Sequence, residues 1–292
     1  MIYTIENANY RAEISSTGAE LQSVFAKGPG FDCMWYGDPA VWARRAPLLF
    51  PIVGRLIDDR YTLDGKEYSI PQHGFVRTME FSLVERKEDR VRLSLKSTAE
   101  TLEKYPFSFT LISDYSLSQN GLTVTRTVEN NTTKLMPYSL GEHFGFRIPF
   151  FPGENNLDYR LTFPQAETAP WYPLTPKHHM AEPEPFLNNT KEIPIKADLF
   201  DRDALVFLGL KSKKVSLGKN GGKATLNFHY DDYSVIAFWS KPGAKVPYVC
   251  IEPWNGHDMP ENFKDKDIFK KPGILTLEGG KSRSSSCRIE VV

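Results

Sequence analysis

The chain has 292 residues, 40% hydrophobic and 25% charged, with 36 basic and 36 acidic side chains and a formal net charge of zero. A chain of this size can bury a core without disulfides or a structural metal. Balanced charge with no long basic run argues against nucleic acid as a partner. The first residues lack a basic-then-apolar leader, and no window of about 18 apolar residues occurs, so a cytoplasmic protein without membrane contact is expected, as a monomer or homodimer. Cys33, Cys250 and Cys287 are odd in number and far apart, which reads as buried reduced thiols rather than a disulfide framework.

Taken in chain order, helix signals are scarce. "DPAVWARR" (38–45) and "AETLEKY" (99–105) are short helix candidates, too short to form a layer. Strand signals recur throughout. "YTLDGKEYSI" (61–70) is two β-rich runs joined by Asp64-Gly65, a type I′ hairpin signal. "FSLVERKEDRVRLSLKS" (81–97) repeats the plan with a charged turn near Lys87–Asp89. "FSFTLISDYSLSQNGLTVTRTVEN" (107–130) does so again with a turn at Asn120-Gly121. In "LTVTRTV" leucine and valine alternate with threonine and arginine, which predicts one apolar and one wet face. The proline-rich stretch 150–195 contains the strand-like "LDYRLTF", so it reads as loops over one continuous fold rather than as a linker. "YSVIAFWS" (233–240) and "SCRIEVV" (286–292) are later strands. Together these predict an all-β protein, a large antiparallel β-sandwich forming one domain over 1–292.

Four segments carry candidate chemistry: "PLLFPIVGR" (47–55), "PQHGFVR" (71–77), "LGEHFGF" (140–146) and "VCIEPWNG" (249–256). Each is an apolar approach ending in one polar group, respectively Arg55, His73, His143 and Glu252, with glycine or proline beside it. That is the setting of side chains displayed where a strand meets a loop. Two imidazoles, a carboxylate and a guanidinium make an acid–base set near neutral pH. Each has an ordinary alternative, as a hydrogen-bonded core histidine, a turn cap or a surface charge, and spacing alone does not show that the four converge. His178-His179 are adjacent and would point to opposite faces of a strand, and His257-Asp258 has no partner at ligand spacing, so no metal is expected. No dinucleotide fingerprint or phosphate loop occurs, so no cofactor is expected.

In this order the segments resemble the aldose 1-epimerase (mutarotase) family, with the likeness strongest to its shorter bacterial branch associated with lactose operons. It runs from "AEISSTGAELQSV" (12–24) to the final strand, and "LFPIVGRL", "PQHGF" and "EPW" carry it together. The resemblance implies a galactose mutarotase-like supersandwich and a small sugar as substrate. It implies Glu252 as base on the C1 hydroxyl, His143 as acid on the ring oxygen, His73 assisting there, and Arg55 on sugar hydroxyls. Asp203 is the candidate for a further hydroxyl-binding aspartate, with Asp201 close by. Trp254, Trp35 and Phe75 lie in or near the matched segments, where a flat ring can stack on the C–H face of a sugar. Phe144 follows His143 where the family usually has proline, a departure that would narrow the cleft if the ring faced it. For this chemistry Glu252 should be ionised and His143 protonated, with Glu252 or Glu142 supplying the charge that favours imidazolium. The implied activity is α/β interconversion of a free hexose, galactose or glucose. Two alternatives are the same reaction on a hexose 6-phosphate held by Arg44, Arg45 or Arg77, and a carbohydrate-binding or sensing protein without turnover.

Overall fold

The computed structural model describes all 292 residues. Period-two alternation sets the strands. Along Gly121–Asn130, Val124, Arg126 and Val128 are buried while Thr123, Thr125 and Thr127 are partly exposed between them. The strand belongs to a nine-stranded antiparallel sheet. From edge to edge its order is Glu184–Pro194, Tyr159–Trp171, Lys214–Lys219, Thr225–His229, Ser282–Val291, Gly121–Asn130, Phe109–Ser118, Arg90–Lys96 and Ser82–Arg86. A second sheet has Tyr248–Asn255 at its centre. Val235–Trp239 pairs one side of that strand, backed by Leu205–Leu208, and Leu140–Gly141 and Phe144–Arg147 pair the other.

The two sheets face each other through aromatic contacts. Phe228 of the nine-stranded sheet lies 5.6 Å from Phe144 and 5.9 Å from Phe146, and Phe163 lies 6.2 Å from Phe238. This is the β-sandwich that the alternation implies, and one cluster of 70 buried residues runs through it from Tyr3 to Val291. An N-terminal sheet, Ile2–Glu6, Tyr10–Ser15, Leu21–Ala26 and Phe31–Asp32, adds its apolar face to the same core. The proline-rich stretch supplies two strands of the large sheet, Tyr159–Trp171 and Glu184–Pro194.

The Asp64-Gly65 turn joins Arg60–Leu63 to Lys66–Ser69 with both residues at positive φ, as type I′ requires. The Asn120-Gly121 hairpin differs by one position: Ser118 pairs with Gly121, so Gln119-Asn120 is the loop and Gly121 opens the strand. Ala99–Lys104 is helical, its first turn closed by a Thr98–Thr101 capping box. The 38–45 candidate is not. The Asp38 carbonyl accepts from Val41 and Trp42 for a single turn, and the chain then leaves so that Trp42 stacks 5.3 Å from Tyr248. Aromatic packing overrides a weak local preference here. All three cysteines are buried and free. No helix is long and apolar enough to cross a membrane.

Candidate active site

Every residue of the Tyr248–Asn255 strand is buried. Its alternation sends Cys250, Glu252 and Trp254 to one face and Val249 and Ile251 into the inter-sheet core. Across the ladder, pairing lapses at Glu142-His143, between Leu140–Gly141 and Phe144–Arg147. Glu142 turns inward, where Arg126 grips it through Nε–Oε1 at 2.6 Å and Nη2–Oε2 at 2.9 Å, both side chains without solvent exposure. His143, the next residue, turns to the opposite face. Its Nε2 lies 3.3 Å from Glu252 Oε2, and the two side chains are 12% and 2% exposed.

These two line a cavity of 200 Å³, with His73, Asp203 and Trp254 also on its wall. That is below the roughly 300–1,000 Å³ of pockets for drug-sized ligands and suits a single small ring. Clefts of 420 and 510 Å³ elsewhere on the molecule contain no histidine. Of the small cavity's lining residues, Glu252 Oε1, His143 Nδ1 and Trp254 Nε1 are buried and make no hydrogen bond within the protein. Buried polar atoms of this kind are normally satisfied, so three around one cavity point to a polar ligand.

Burial dominates the electrostatics. It drives the Glu252 carboxyl well above the ordinary carboxylate range, with the charges of Asp203 and Asp258 adding to the rise. It also pulls the His143 imidazole down to about 3. Both shifts favour the neutral forms, a protonated carboxyl beside a neutral imidazole. That direction runs against the expected ionised Glu252 and protonated His143, because desolvation penalises both charged forms. Glu142 supplies no charge to His143, being taken up by Arg126 on the other side of the strand.

His73 Nδ1 accepts from the Gly54 N–H at 3.1 Å, which places the ring proton on Nε2 and makes His73 a neutral donor. Burial, and then the neighbouring His143, hold its pKa well below the usual value. The adjacent Arg55 N–H donates to Asp258 Oδ1 at 2.9 Å. The "PIVGR" segment thus serves the cavity through its backbone, threading between an imidazole and a carboxylate. Gly54 has φ +72°, and a Cβ there would lie 2.2 Å from Asp258 Oδ1. Gly54→Ala is expected to cost at least about 1–2 kcal/mol from the left-handed backbone alone. It should also displace Asp258, so denaturant midpoint and activity fall together. Wild-type behaviour in both would show that the backbone here is not held this tightly.

Of the residues singled out in the sequence, the structure brings together His73, His143, Asp203, Glu252 and Trp254. Three others, Arg55, Trp35 and Phe75, are not on the cavity wall, contrary to expectation. The Arg55 guanidinium is engaged bidentately by Asp59, at 2.8 Å through both Nε and Nη2. Trp35 is 1% exposed against Tyr36 and Tyr248, and its Nε1 donates to the Trp42 carbonyl. Phe75 belongs to the main core. Phe144 packs between the sheets, so it takes no space from the cavity.

The sequence reading missed Asp258, His178 and Trp239, which also line the cavity. Asp258 is six residues beyond Glu252, and burial pushes its carboxyl up to about 6. His178 comes from the proline-rich stretch, and its Nδ1 lies 3.3 Å from Asp203 Oδ2. Trp239 and Trp42 stand 5.5 and 5.1 Å from the His143 ring. His73, His178 and Asp203 all have positive φ, an uncommon conformation for such residues that concentrates at functional sites. Ligand atoms of His143, Cys250 and Glu252 lie within 4.8 Å of one another. Burial keeps the Cys250 thiol protonated, and a thiol in that state is a poor metal ligand.

Comparison with known proteins places this geometry. A family model described as aldose 1-epimerase matches residues 1–285. The protein LacX, plasmid form, of Lactococcus lactis subsp. lactis is 33% identical over 287 residues, 95% of each chain. A galactose mutarotase related enzyme from Lactobacillus acidophilus superposes with a TM-score of 0.94 at 34% identity, over 100% of this chain and 97% of the other. A galactose mutarotase-like protein from Lactobacillus casei gives 0.93 at 30% identity, over the full length of both.

Proposed function

The chain belongs to the aldose 1-epimerase family, and from that premise we propose that it interconverts the α and β anomers of a hexose of galactose or glucose configuration with an unmodified C1 hydroxyl. The single observation that carries the reading is the His143 Nε2–Glu252 Oε2 contact of 3.3 Å on the wall of the small cavity. Mutarotation moves protons at two oxygens bonded to the same carbon, so its acid and its base must be neighbours. The reaction is neutral overall, which suits a pair that holds one proton.

Glu252 takes the proton of the C1 hydroxyl as His143 delivers one to the ring oxygen. The C1–ring oxygen bond breaks, C1 becomes an aldehyde and rotates about C1–C2, and closure on the other carbonyl face runs the same transfers in reverse. Before the first step the shared proton must lie on His143. A sugar hydroxyl donating to the unpartnered Glu252 Oε1 favours the carboxylate and sends the proton across the 3.3 Å contact. His73 Nε2–H is a fixed donor towards the ring oxygen, Asp203 and Asp258 accept from ring hydroxyls, and Trp254 and Trp239 offer the apolar wall. Phe144, which stands where the family usually has proline, packs between the sheets rather than into the cavity, and this supports the catalytic reading over the binding-only alternative.

Fresh α-galactose and α-glucose, followed by polarimetry with and without the protein, test the reading. Relaxation faster than the buffer rate is the expected outcome; buffer-rate relaxation of both neutral and C6-charged hexoses would overturn it. The proton assignment has its own check. The His143 ring, identified in ¹⁵N spectra by its loss in His143→Asn, should stay neutral from pH 7 to pH 5 in the sugar-free protein, since its pKa is held down at about 3. A titration midpoint near the ordinary histidine value of about 6.5 would contradict it.

A further inference from the structure

Lys271 is a buried charge that the proton transfers do not use. Its neighbour Lys270 is exposed and pairs with Asp265 at 2.8 Å, whereas Lys271 turns inward and is 2% exposed. Lysine is almost never buried to this degree without a partner for its charge. Here Nζ donates to two peptide carbonyls, that of His257 and, at 3.4 Å, that of Pro272. The first belongs to the residue before Asp258, which lines the cavity. The turn that carries Lys271 also seats the His257 ring: Gly273 has φ +72°, and a Cβ there would lie 2.6 Å from His257 Cδ2. On the cavity side of this socket the Arg55 N–H donates to Asp258 and the Gly54 N–H to His73. One line of contacts therefore runs from Lys271 through the His257 peptide to side chains of the cavity wall.

We propose that Lys271 is a positioning residue for sugar binding: from behind the cavity wall its ammonium holds the His257–Asp258 peptide in place and supplies the positive charge that keeps Asp258 an anionic acceptor for a ring hydroxyl. The inference rests on the proposed mutarotation and deepens it. A hydrogen bond to an ionised acceptor is roughly twice as strong as one between neutral groups. Burial works against the anion and pushes the Asp258 carboxyl up to about 6; the Arg55 N–H and then the Lys271 charge oppose that rise. Asp203 adds to it, and the partly exposed His178 counters it less than Lys271 does. The other groups around Asp258 supply no cation. Burial and then Lys271 hold the His257 imidazole down to about 4, burial and then His143 depress His73, and burial drives Glu252 up. The Arg55 guanidinium is taken up by Asp59. Lys271 is thus the buried cation that answers the Asp258 carboxylate.

The test compares Lys271→Met, Lys271→Gln and Lys271→Arg. The Asp258 carboxyl, identified in ¹³C spectra of the sugar-free protein by its loss in Asp258→Asn, should titrate at about 6 in the native chain. Its midpoint should rise by about one to two pH units in Lys271→Met and Lys271→Gln and return in Lys271→Arg, because a nearby opposite charge favours the carboxylate by about that much. Glutamine can still donate to the His257 carbonyl, so the Gln variant separates the charge from the tie. Asp258 accepts as the carboxylate, and that form is lost as pH falls through its midpoint. The two neutral variants should therefore raise KM for the hexose roughly five- to fiftyfold at pH 6 and no more than about twofold at pH 8. A native-like midpoint in Lys271→Met and Lys271→Gln, or a KM rise of equal size at both pH values, overturns the inference and leaves the mutarotase reading intact. The midpoint is read without sugar, so it decides the role of Lys271 even if no hexose is turned over.

Discussion

Glu252→Gln and His143→Asn should each reduce kcat by about 10²–10⁴-fold, the range for a positioned acid or base, with KM changing far less. Glu252→Gln nearly preserves shape, and His143→Asn keeps a smaller polar side chain without the Nε2 atom that meets Glu252. What they remove is the ability to take the C1 hydroxyl proton or to deliver one to the ring oxygen. Because the two groups hold one proton between them across 3.3 Å, they act as a unit, and the double variant should be little worse than either single one. Additive losses would mean independent roles. Near wild-type turnover by Glu252→Gln would place the base elsewhere, with Asp258 the next carboxylate to examine.

The second large effect is on stability. Arg126 and Glu142 form a bidentate pair with no solvent exposure between the sheets, and Arg126 also lies 4.8 Å over the Tyr115 ring. Arg126→Met strands a buried carboxylate, and breaking such a pair from one side costs about 3–5 kcal/mol. The urea midpoint should fall accordingly with an unchanged slope. The double variant Arg126→Met/Glu142→Leu removes both charges and should recover most of that loss. If Arg126→Met were as stable as the native chain, the pair would not be the inter-sheet tie it looks like. The pair bears on function because Glu142 fixes the backbone from which His143 projects.

How much of this was readable in advance follows from what sequence patterns encode. Strands and hairpins were legible because alternation and turn residues are local signals; the Asp64-Gly65 turn needs positive φ twice and shows residues that tolerate it. The 38–45 segment misled because Trp42 is placed by Trp35 and Tyr248, contacts invisible in a local window. His73, His143 and Glu252 stood out as polar groups ending apolar strands, but their convergence is a fact of topology. Arg55 is placed differently from expectation, its guanidinium held by Asp59. Its side chain is the conspicuous feature of "PIVGR", whereas the segment contacts His73 and Asp258 through two backbone N–H groups. Asp258 and His178 stood in segments already noticed, but nothing in their spacing says that they face the same cavity. The expectation that the arginine of "LTVTRTV" lies on the wet face with the threonines fails, because Arg126 is in phase with Val124 and Val128 and is fully buried against Glu142.

The central claim is that this protein opens and recloses a sugar ring by proton transfer through the His143–Glu252 pair. Two-dimensional NMR exchange between the C1 proton signals of the two anomers, on sugar labelled with ¹⁸O at the C1 hydroxyl, tests it most directly. The account predicts cross-peaks that build faster than in buffer with native protein, vanish with Glu252→Gln, and retain the label in both anomers, because the bond that breaks is C1 to the ring oxygen. Exchange at the buffer rate on neutral and C6-anionic hexoses alike, or rapid protein-dependent loss of the label to water, would contradict it.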